Sequence, residues 1–430
     1  MSVKIPTPRD NPHLVGHEAA ENLLREAWAG GRLHHAWLIG GPAGIGKATL
    51  AFRFARFVLA YGTPPAVQGP SLALRPAFVP SPSPLPSPSL SPARDSGARD
   101  SGGLFGPALL PVSSKRSTPS GAGRAVATVS VAPPPPSPLS SPPPPVEGLA
   151  LELAHPVFRR VVSGGHPDLV TIELRFDEKR NKMKTEIMVE DVREIVRFLH
   201  RTTASGGWRV VVVDGVERMN ASGLNAILKI LEEPPPGALL LLVTETPGGL
   251  LPTIRSRCRR LTLGPLSETV VLGLLGRYRP DLDQGEQLAL ARLADGAVGR
   301  ALALADAGGL AVYREIVTLL APLPRLDPAA VHAFADKVGR RGSEALFDTV
   351  ANLMVWWLRR LARAAALAEV PSEVVPGEAD LVRRLLAIGG DGRWLGVWEN
   401  LAPAFARAGW ANLDNKQVML NALLAIQAAA

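Results

Sequence analysis

Cysteine is almost missing from this sequence of 430 residues: Cys258 is the only one. A single thiol cannot build a disulfide framework or a cysteine zinc site, and it suits a reducing cytoplasm. No uninterrupted apolar run reaches the ~18 residues of a membrane helix. The opening residues, Met1 to Asp10, carry no apolar signal core. The expectation is a cytoplasmic protein without membrane contact. No metal-ligand cluster stands out, because the eight histidines are scattered. Excess charge is small: 47 Lys and Arg against 39 Asp and Glu give +8. That balance hints at an acidic partner such as nucleic acid but carries little weight alone.

Proline, in contrast, is abundant, and 22 of the 41 prolines fall between Pro64 and Pro145. There they mix with Ser, Gly and Ala, as in Pro82-Ser83-Pro84 and the run Pro133 to Pro136. Such a stretch has no periodic apolar face and cannot recover its ordering entropy by burial. We read residues 63–147 as a disordered insertion, partly polyproline II, serving as a tether rather than a docking motif.

The flanks of this insertion predict an α/β domain with a parallel sheet covered by helices on both faces. Ala36-Trp37-Leu38-Ile39 reads as a short buried strand. Ala48 to Leu59 follows as a helix with Leu50, Phe54 and Phe57 on one face. Asp168 to Leu174 reads as a strand, Arg175 to Lys184 as a charged hairpin or loop, and Val189 to His200 as an amphipathic helix. Arg209 to Val213 and Ala238 to Val243 are continuous apolar strands. Between them Ser222 to Glu232 is a helix with Leu224, Ile227, Leu228 and Leu231 as its buried stripe, stopped by Pro234 to Pro236. Unbroken apolar strands alternating with helices imply a parallel sheet. After Leu263 the pattern turns helical: Ser267 caps a helix, a break spans Pro322 to Pro328, and helices run to Ala430. The expected division is 1–263, 264–322 and 323–430: an α/β domain, a small helical lid and a helical C-terminal collar.

Three segments carry chemistry. Gly41-Pro42-Ala43-Gly44-Ile45-Gly46-Lys47 follows a strand and opens a helix, the setting of a phosphate loop. Its glycines, Gly41, Gly44 and Gly46, let backbone N–H groups converge on phosphate oxygens, and Lys47 adds a point charge. The next residue is Ala48, where a magnesium-binding hydroxyl belongs. Thr49 stands about 100° further around the helix and does not simply replace it. Asp214 ends a buried strand where a magnesium-linked carboxylate would sit. Gly215 follows it in place of a water-polarising Glu. Arg255, Arg257, Arg259 and Arg260 crowd the third segment. An exposed guanidinium there can stabilise a transferring phosphoryl group, although a solvated basic turn has the same composition. Cys258 between them reads as a small packing residue, His34-His35 as packing or capping groups, and Trp356-Trp357 as core or interface rather than a stacking platform.

Taken together, four segments resemble bacterial DNA polymerase III clamp-loader subunits of the AAA+ superfamily. They are Leu33 to Leu38, Gly41 to Lys47, Asn225 to Pro235 with its Leu-Glu-Glu-Pro-Pro end, and Leu251 to Cys258 with its Ser-Arg-Cys triplet. The stretch from Asn412 to Gln417 is similar as well. The resemblance implies a subunit of a hetero-pentameric ring, with gamma/tau motor subunits and a delta subunit as partners. Such a ring opens a sliding clamp and loads it on primer-template DNA. It further implies that Arg257 is a trans-acting arginine reaching the ATP of a neighbour, and that Thr244 stands at the first sensor. The second sensor falls in Gly296 to Leu302, where Gly299 stands at the arginine place with Arg300 beside it. The family's four-cysteine zinc module is absent, so no zinc is expected. ATP at the degenerate loop, through Gly41, Gly44, Gly46, Lys47, Asp214 and Thr244, stays open, as does magnesium. Ala48, Gly215 and Gly299 favour a non-hydrolysing stator. The alternatives are an ATP-hydrolysing motor subunit of the same loader and a proline-rich scaffold on a decayed ATPase fold.

Overall fold

The computed structural model describes residues 5–31, 33–62, 148–174, 176–177, 182–201, 203, 207–388, 392–409 and 413–430. The proline-rich stretch 63–147, part of the charged loop after Leu174, and Asn412 lie outside the described residues. In chain order the strands are β1 (Ala36–Gly40), β2 (Leu169–Ile172), β3 (Phe176–Asp177), β4 (Lys182–Met183), β5 (Arg209–Asp214), β6 (Ala238–Thr244) and β7 (Arg259–Thr262). Five of them form one parallel sheet in the order β2-β5-β6-β1-β7, and β3 and β4 pair as a small antiparallel hairpin.

Both faces of the sheet are covered, as continuous apolar strands require. Trp37, Ile39, Val210, Val212, Leu239 and Leu241 point into one core. There they meet the helices α1 (Glu18–Ala29), α2 (Lys47–Tyr61) and α3 (Pro156–Val162). Ala36, Leu38, Val211, Val213, Leu240 and Leu242 point the other way. They meet α4 (Val189–Leu199), α5 (Ala221–Glu232) and α6 (Pro252–Arg257). The period-2 alternation within each strand divides the two cores residue by residue. The expected α/β sheet is therefore present. Strand β7 was not expected, because Arg-Arg-Leu-Thr offers one apolar position. It is an edge strand whose Leu261 alone is buried. On α5 the buried residues are Gly223, Ile227, Ile230 and Leu231, while Leu224 and Leu228 are half-buried.

The rest of the chain is helical: α7 (Glu268–Tyr278), α8 (Gln284–Leu293), α9 (Val298–Asp306), α10 (Gly309–Leu320), α11 (Pro328–Gly339), α12 (Glu344–Leu367), α13 (Glu378–Ile388), α14 (Arg393–Ala408) and α15 (Asn415–Ala429). Ser267 caps α7 by accepting the Val270 N–H. Trp356 and Trp357 are buried in a continuous apolar core reaching from Leu266 to Ile426. Asp414 is the N-cap of α15, whose buried face is Met419, Ala422, Leu423 and Ile426. Leu424 lies on the opposite, exposed side.

Helix α2 is buried along nearly its whole length, and two of its buried residues are arginines. The Arg56 guanidinium donates to the carbonyls of Arg9 at 2.7 Å and Asn11 at 2.8 Å, and it lies 4.6 Å from the Phe158 ring centroid. Arg53 donates to the Pro12 carbonyl and pairs with Glu21. These bonds strap the segment 9–12 across α2. Burial pushes the Arg56 pKa down to about 10, which still leaves it charged at neutral pH. Because hydrogen bonds to a charged group contribute ~1.5–3 kcal/mol each, Arg56→Ala is expected to lower stability by about 2–4 kcal/mol. Urea unfolding followed by circular dichroism measures this, and an unchanged midpoint would show that the strap contributes nothing.

Candidate functional site

In parallel sheets ligands gather beyond the C-terminal strand ends, and here three of those ends meet. Gly40 of β1 is level with Thr244 of β6, and Asp214 of β5 is level with Val243. The phosphate loop leaves β1 directly, so Gly44, Gly46, Lys47, Asp214 and Thr244 converge on one cavity of about 510 Å³. Gly41 lies behind them against β7's end; a Cβ there would stand 2.5 Å from the Leu263 carbonyl oxygen. Gly46 caps α2 with φ of 102°, in the left-handed region that a side chain rarely adopts. Ala48 and Thr49 both line the cavity, so a hydroxyl is present one residue late.

The loop's polar groups are turned inward. Lys47 is buried, and its Nζ donates to the Pro42 carbonyl of its own loop at 2.6 Å. The Gly299 N–H donates to the Gly44 carbonyl at 2.8 Å, locking the loop to the start of α9. A Cβ on Gly299 would meet the Gly44 Cα at 2.9 Å, which explains glycine at both positions. Thr244 is fully buried, and its hydroxyl accepts the Thr246 N–H at 3.2 Å.

Four carboxylates line the cavity: Glu173, Asp214, Glu217 and Glu245, against the cations Lys47 and Arg218. Of these Asp214 alone stands out in the sequence. Glu173 and Glu245 belong to segments whose proximity the sheet alone creates. Glu217 Oε1 accepts the Glu245 N–H at 3.0 Å, while its Oε2 is buried without a hydrogen-bond partner among the described residues. Burial raises the Asp214 pKa, and Glu173, Glu217 and Glu245 push the same way against Lys47. Burial lowers the Lys47 pKa, while Glu245, Asp214 and Glu217 oppose it. This donor set is a poor fit for a magnesium triphosphate. The hydroxyl after the lysine is missing, the lysine is engaged with its own loop, and negative charge outweighs positive.

Arg257 is not among the residues lining this cavity. It ends α6 and is partly exposed. Its guanidinium pairs with Glu232 Oε1 at 2.8 Å and donates to the Thr253 carbonyl at 3.1 Å. Glu232 belongs to the Leu-Glu-Glu-Pro-Pro end of α5, so two motifs about 25 residues apart become one surface feature. Arg259 lies 5.0 Å from the Trp37 ring centroid. Cys258 is buried, and burial pushes its thiol up to about 12, so it is the packing residue expected. His35 Nε2 donates to the Leu231 carbonyl, 3.2 Å away, and the ring stacks on His34 with centroids 4.4 Å apart. Arg300 lines a different cavity from the one around Lys47.

Comparison with known proteins gives a consistent result. The family model described as "DNA polymerase III, delta subunit" matches residues 154–267. DNA polymerase III subunit delta' of Pseudomonas aeruginosa is 38% identical over 121 residues, 28% of this chain and 35% of that protein. The same subunit of Escherichia coli is 37% identical over 142 residues, 33% of this chain and 40% of that protein. The chain resembles the clamp-loader delta-prime subunit. DNA polymerase III subunit tau of Bacillus subtilis is also similar, 28% identical over 150 residues, 34% of this chain and 25% of that protein. The matches thus span well under half the length of these curated relatives. The segment matched by the family model holds Asp214, Glu232, Thr244 and Arg257, and does not include the phosphate loop.

The raised Asp214 pKa gives a prediction with a definite sign. The native state holds this proton more tightly than the unfolded chain, so stability falls as pH rises from the unfolded carboxyl pKa through the native one. Asp214→Asn removes that cost. It is expected to raise stability at pH 7 and to lose the advantage below about pH 4, where the unfolded carboxyl is also protonated. Urea midpoints from pH 3.5 to 8 measure it; a destabilised variant at pH 7 would show that the Lys47 contact outweighs burial.

Proposed function

We propose that this chain is a delta-prime-type stator subunit of a cytoplasmic DNA polymerase III clamp loader. Its partners are the gamma/tau motor subunits and the delta subunit. Through the pentamer it serves the sliding clamp and primer-template DNA. In this reading the residues from 264 onward form lid and collar, and the α/β part presents Arg257 to the ATP of the adjacent motor. The observation that carries the reading is the position of Arg257: outside its own chain's cavity, partly exposed, and held by a carboxylate from the neighbouring motif.

The energetics favour such delivery. With side chains 35% and 49% exposed, the Arg257–Glu232 pair belongs to the class worth ~0–1 kcal/mol. Exchanging Glu232 for a phosphate oxygen therefore costs little. A guanidinium stays charged at every physiological pH and matches phosphate geometry with a planar fork. Meanwhile the chain's own loop, with Lys47 on Pro42 and carboxylates around it, supports the absence of hydrolysis here. The motor-subunit alternative has no such support from Ala48, Gly215 or Gly299.

Arg257→Ala is expected to leave folding and assembly intact while lowering DNA-stimulated ATP turnover of the reconstituted loader by a factor on the order of 10³. Lys47→Ala should change turnover far less. Steady-state phosphate release by the whole complex is the measurement. Wild-type turnover with Arg257→Ala, or ATP turnover by the isolated chain, would overturn the assignment.

A further inference from the structure

A second cavity, of about 820 Å³, opens between the phosphate loop's outer side at Pro42 and Ala43, the α8–α9 segment and helix α12. Five arginines line it: Arg292, Arg300, Arg359, Arg360 and Arg363. Its carboxylates are Glu268, Asp295 and Glu369. Three of the guanidinium groups are accounted for. Arg292 stands 3.5 Å from Glu268, Arg359 pairs with Asp295, and Arg360 pairs with Glu378 at 3.0 Å. The guanidinium groups of Arg300 and Arg363 make no hydrogen bond or ion pair among the described residues.

Arg300 is the telling one. The Gly299–Gly44 contact fixes the start of α9, and Arg300 lines this cleft rather than the cavity around Lys47. The side chain is half-buried, and its desolvation works against the charged form, with Arg359 adding to the effect and Asp295 opposing it. A partly desolvated cation without a bonded counter-ion is costly unless an anion completes it. Planar guanidinium groups in a cluster are suited to bidentate phosphate recognition.

We propose that the cleft between α9 and α12 is an anion site that binds phosphate groups through Arg300 and Arg363, with Arg292, Arg359 and Arg360 as the surrounding positive wall. The ligand is a phosphate-bearing polyanion, either free in solution or carried on a nucleic-acid strand. The site lies on the outer side of the phosphate loop, apart from the cavity around Lys47, and stands whether or not Arg257 acts in trans.

The test uses the full chain and two probes: inorganic tripolyphosphate by calorimetry, and a labelled single-stranded 20-nucleotide DNA by fluorescence anisotropy across a salt series. The variants are Arg300→Ala/Arg363→Ala and, as a charge-matched control, Arg340→Ala/Arg341→Ala in the exposed turn just after α11. Circular dichroism checks that each folds. The cleft variant is expected to weaken at least one probe by about tenfold or more. If DNA is that probe, the slope of log K against log salt becomes shallower by about 1.4, two phosphates' worth for a single strand. The control should bind as wild type. Loss for tripolyphosphate alone identifies a free ligand, and loss for DNA identifies a strand. Absence of binding by the wild type, unchanged binding by the cleft variant, or equal loss in the control would each overturn the proposal.

Discussion

The contact between Gly44 and Gly299 governs much of the molecule. A backbone N–H reaches a backbone carbonyl at 2.8 Å, in a space where neither residue has room for a Cβ. The bond ties the turn that would cradle phosphate to the first residues of a helix from the other half of the chain. Three features follow from it. The loop keeps its phosphate-cradle shape without needing a ligand to hold it. The α/β and helical parts are joined at the sheet's ligand edge. Arg300, one residue on, lines the cleft on the far side of the loop.

Electrostatics then separate form from chemistry. A phosphate loop works by presenting unspent N–H groups, a lysine and a metal-holding hydroxyl to a polyanion. Here the lysine bonds its own loop and Ala48 has no hydroxyl. Four carboxylates line the cavity, and burial raises the pKa of one of them, Asp214. Lys47 only partly offsets the acids around it, so the site already carries more negative than positive charge, which works against a triphosphate. The loop's polar groups thus have partners within the chain, while the sheet and its two cores are built as in any covered parallel sheet.

How much of this the amino-acid sequence discloses depends on the range of the interaction. The strands Arg209–Asp214 and Ala238–Thr244 are legible because burial on both faces demands an unbroken apolar run. The cap at Ser267 and the stop at Pro234 are legible because each acts within one turn of chain. Strand β7 is not, since an edge strand with a single inward residue has no pattern to read. Nor is the ring of Glu173, Glu217 and Glu245, whose members come from three separate strand ends. The straps from Arg53 and Arg56 are hidden for a different reason. An arginine within a buried helix looks like a surface residue until the carbonyls that satisfy it are located.

Arginine shows how burial sorts one side chain into several duties. Arg56 is 2% exposed and bound to two main-chain carbonyls; removing it would leave packing and hydrogen bonds unmet. Arg360 meets Glu378, whose side chain is only 2% exposed and which also accepts the Tyr313 hydroxyl at 2.7 Å. That pair is a fixed internal network, costly to break because each partner would be stranded. Arg257 differs in kind. Its carboxylate partner is half solvated, so water can take over whatever Glu232 gives up, and the guanidinium can change partners without leaving a buried charge behind. A cation that is to act on a neighbouring molecule, as proposed for Arg257, must be oriented without being trapped. Among these three arginines only the one in the Ser-Arg-Cys turn meets both conditions. Its counter-charge comes from the α5 end that the Pro234–Pro236 run terminates, so the rigidity of that stop sets where the arginine is held.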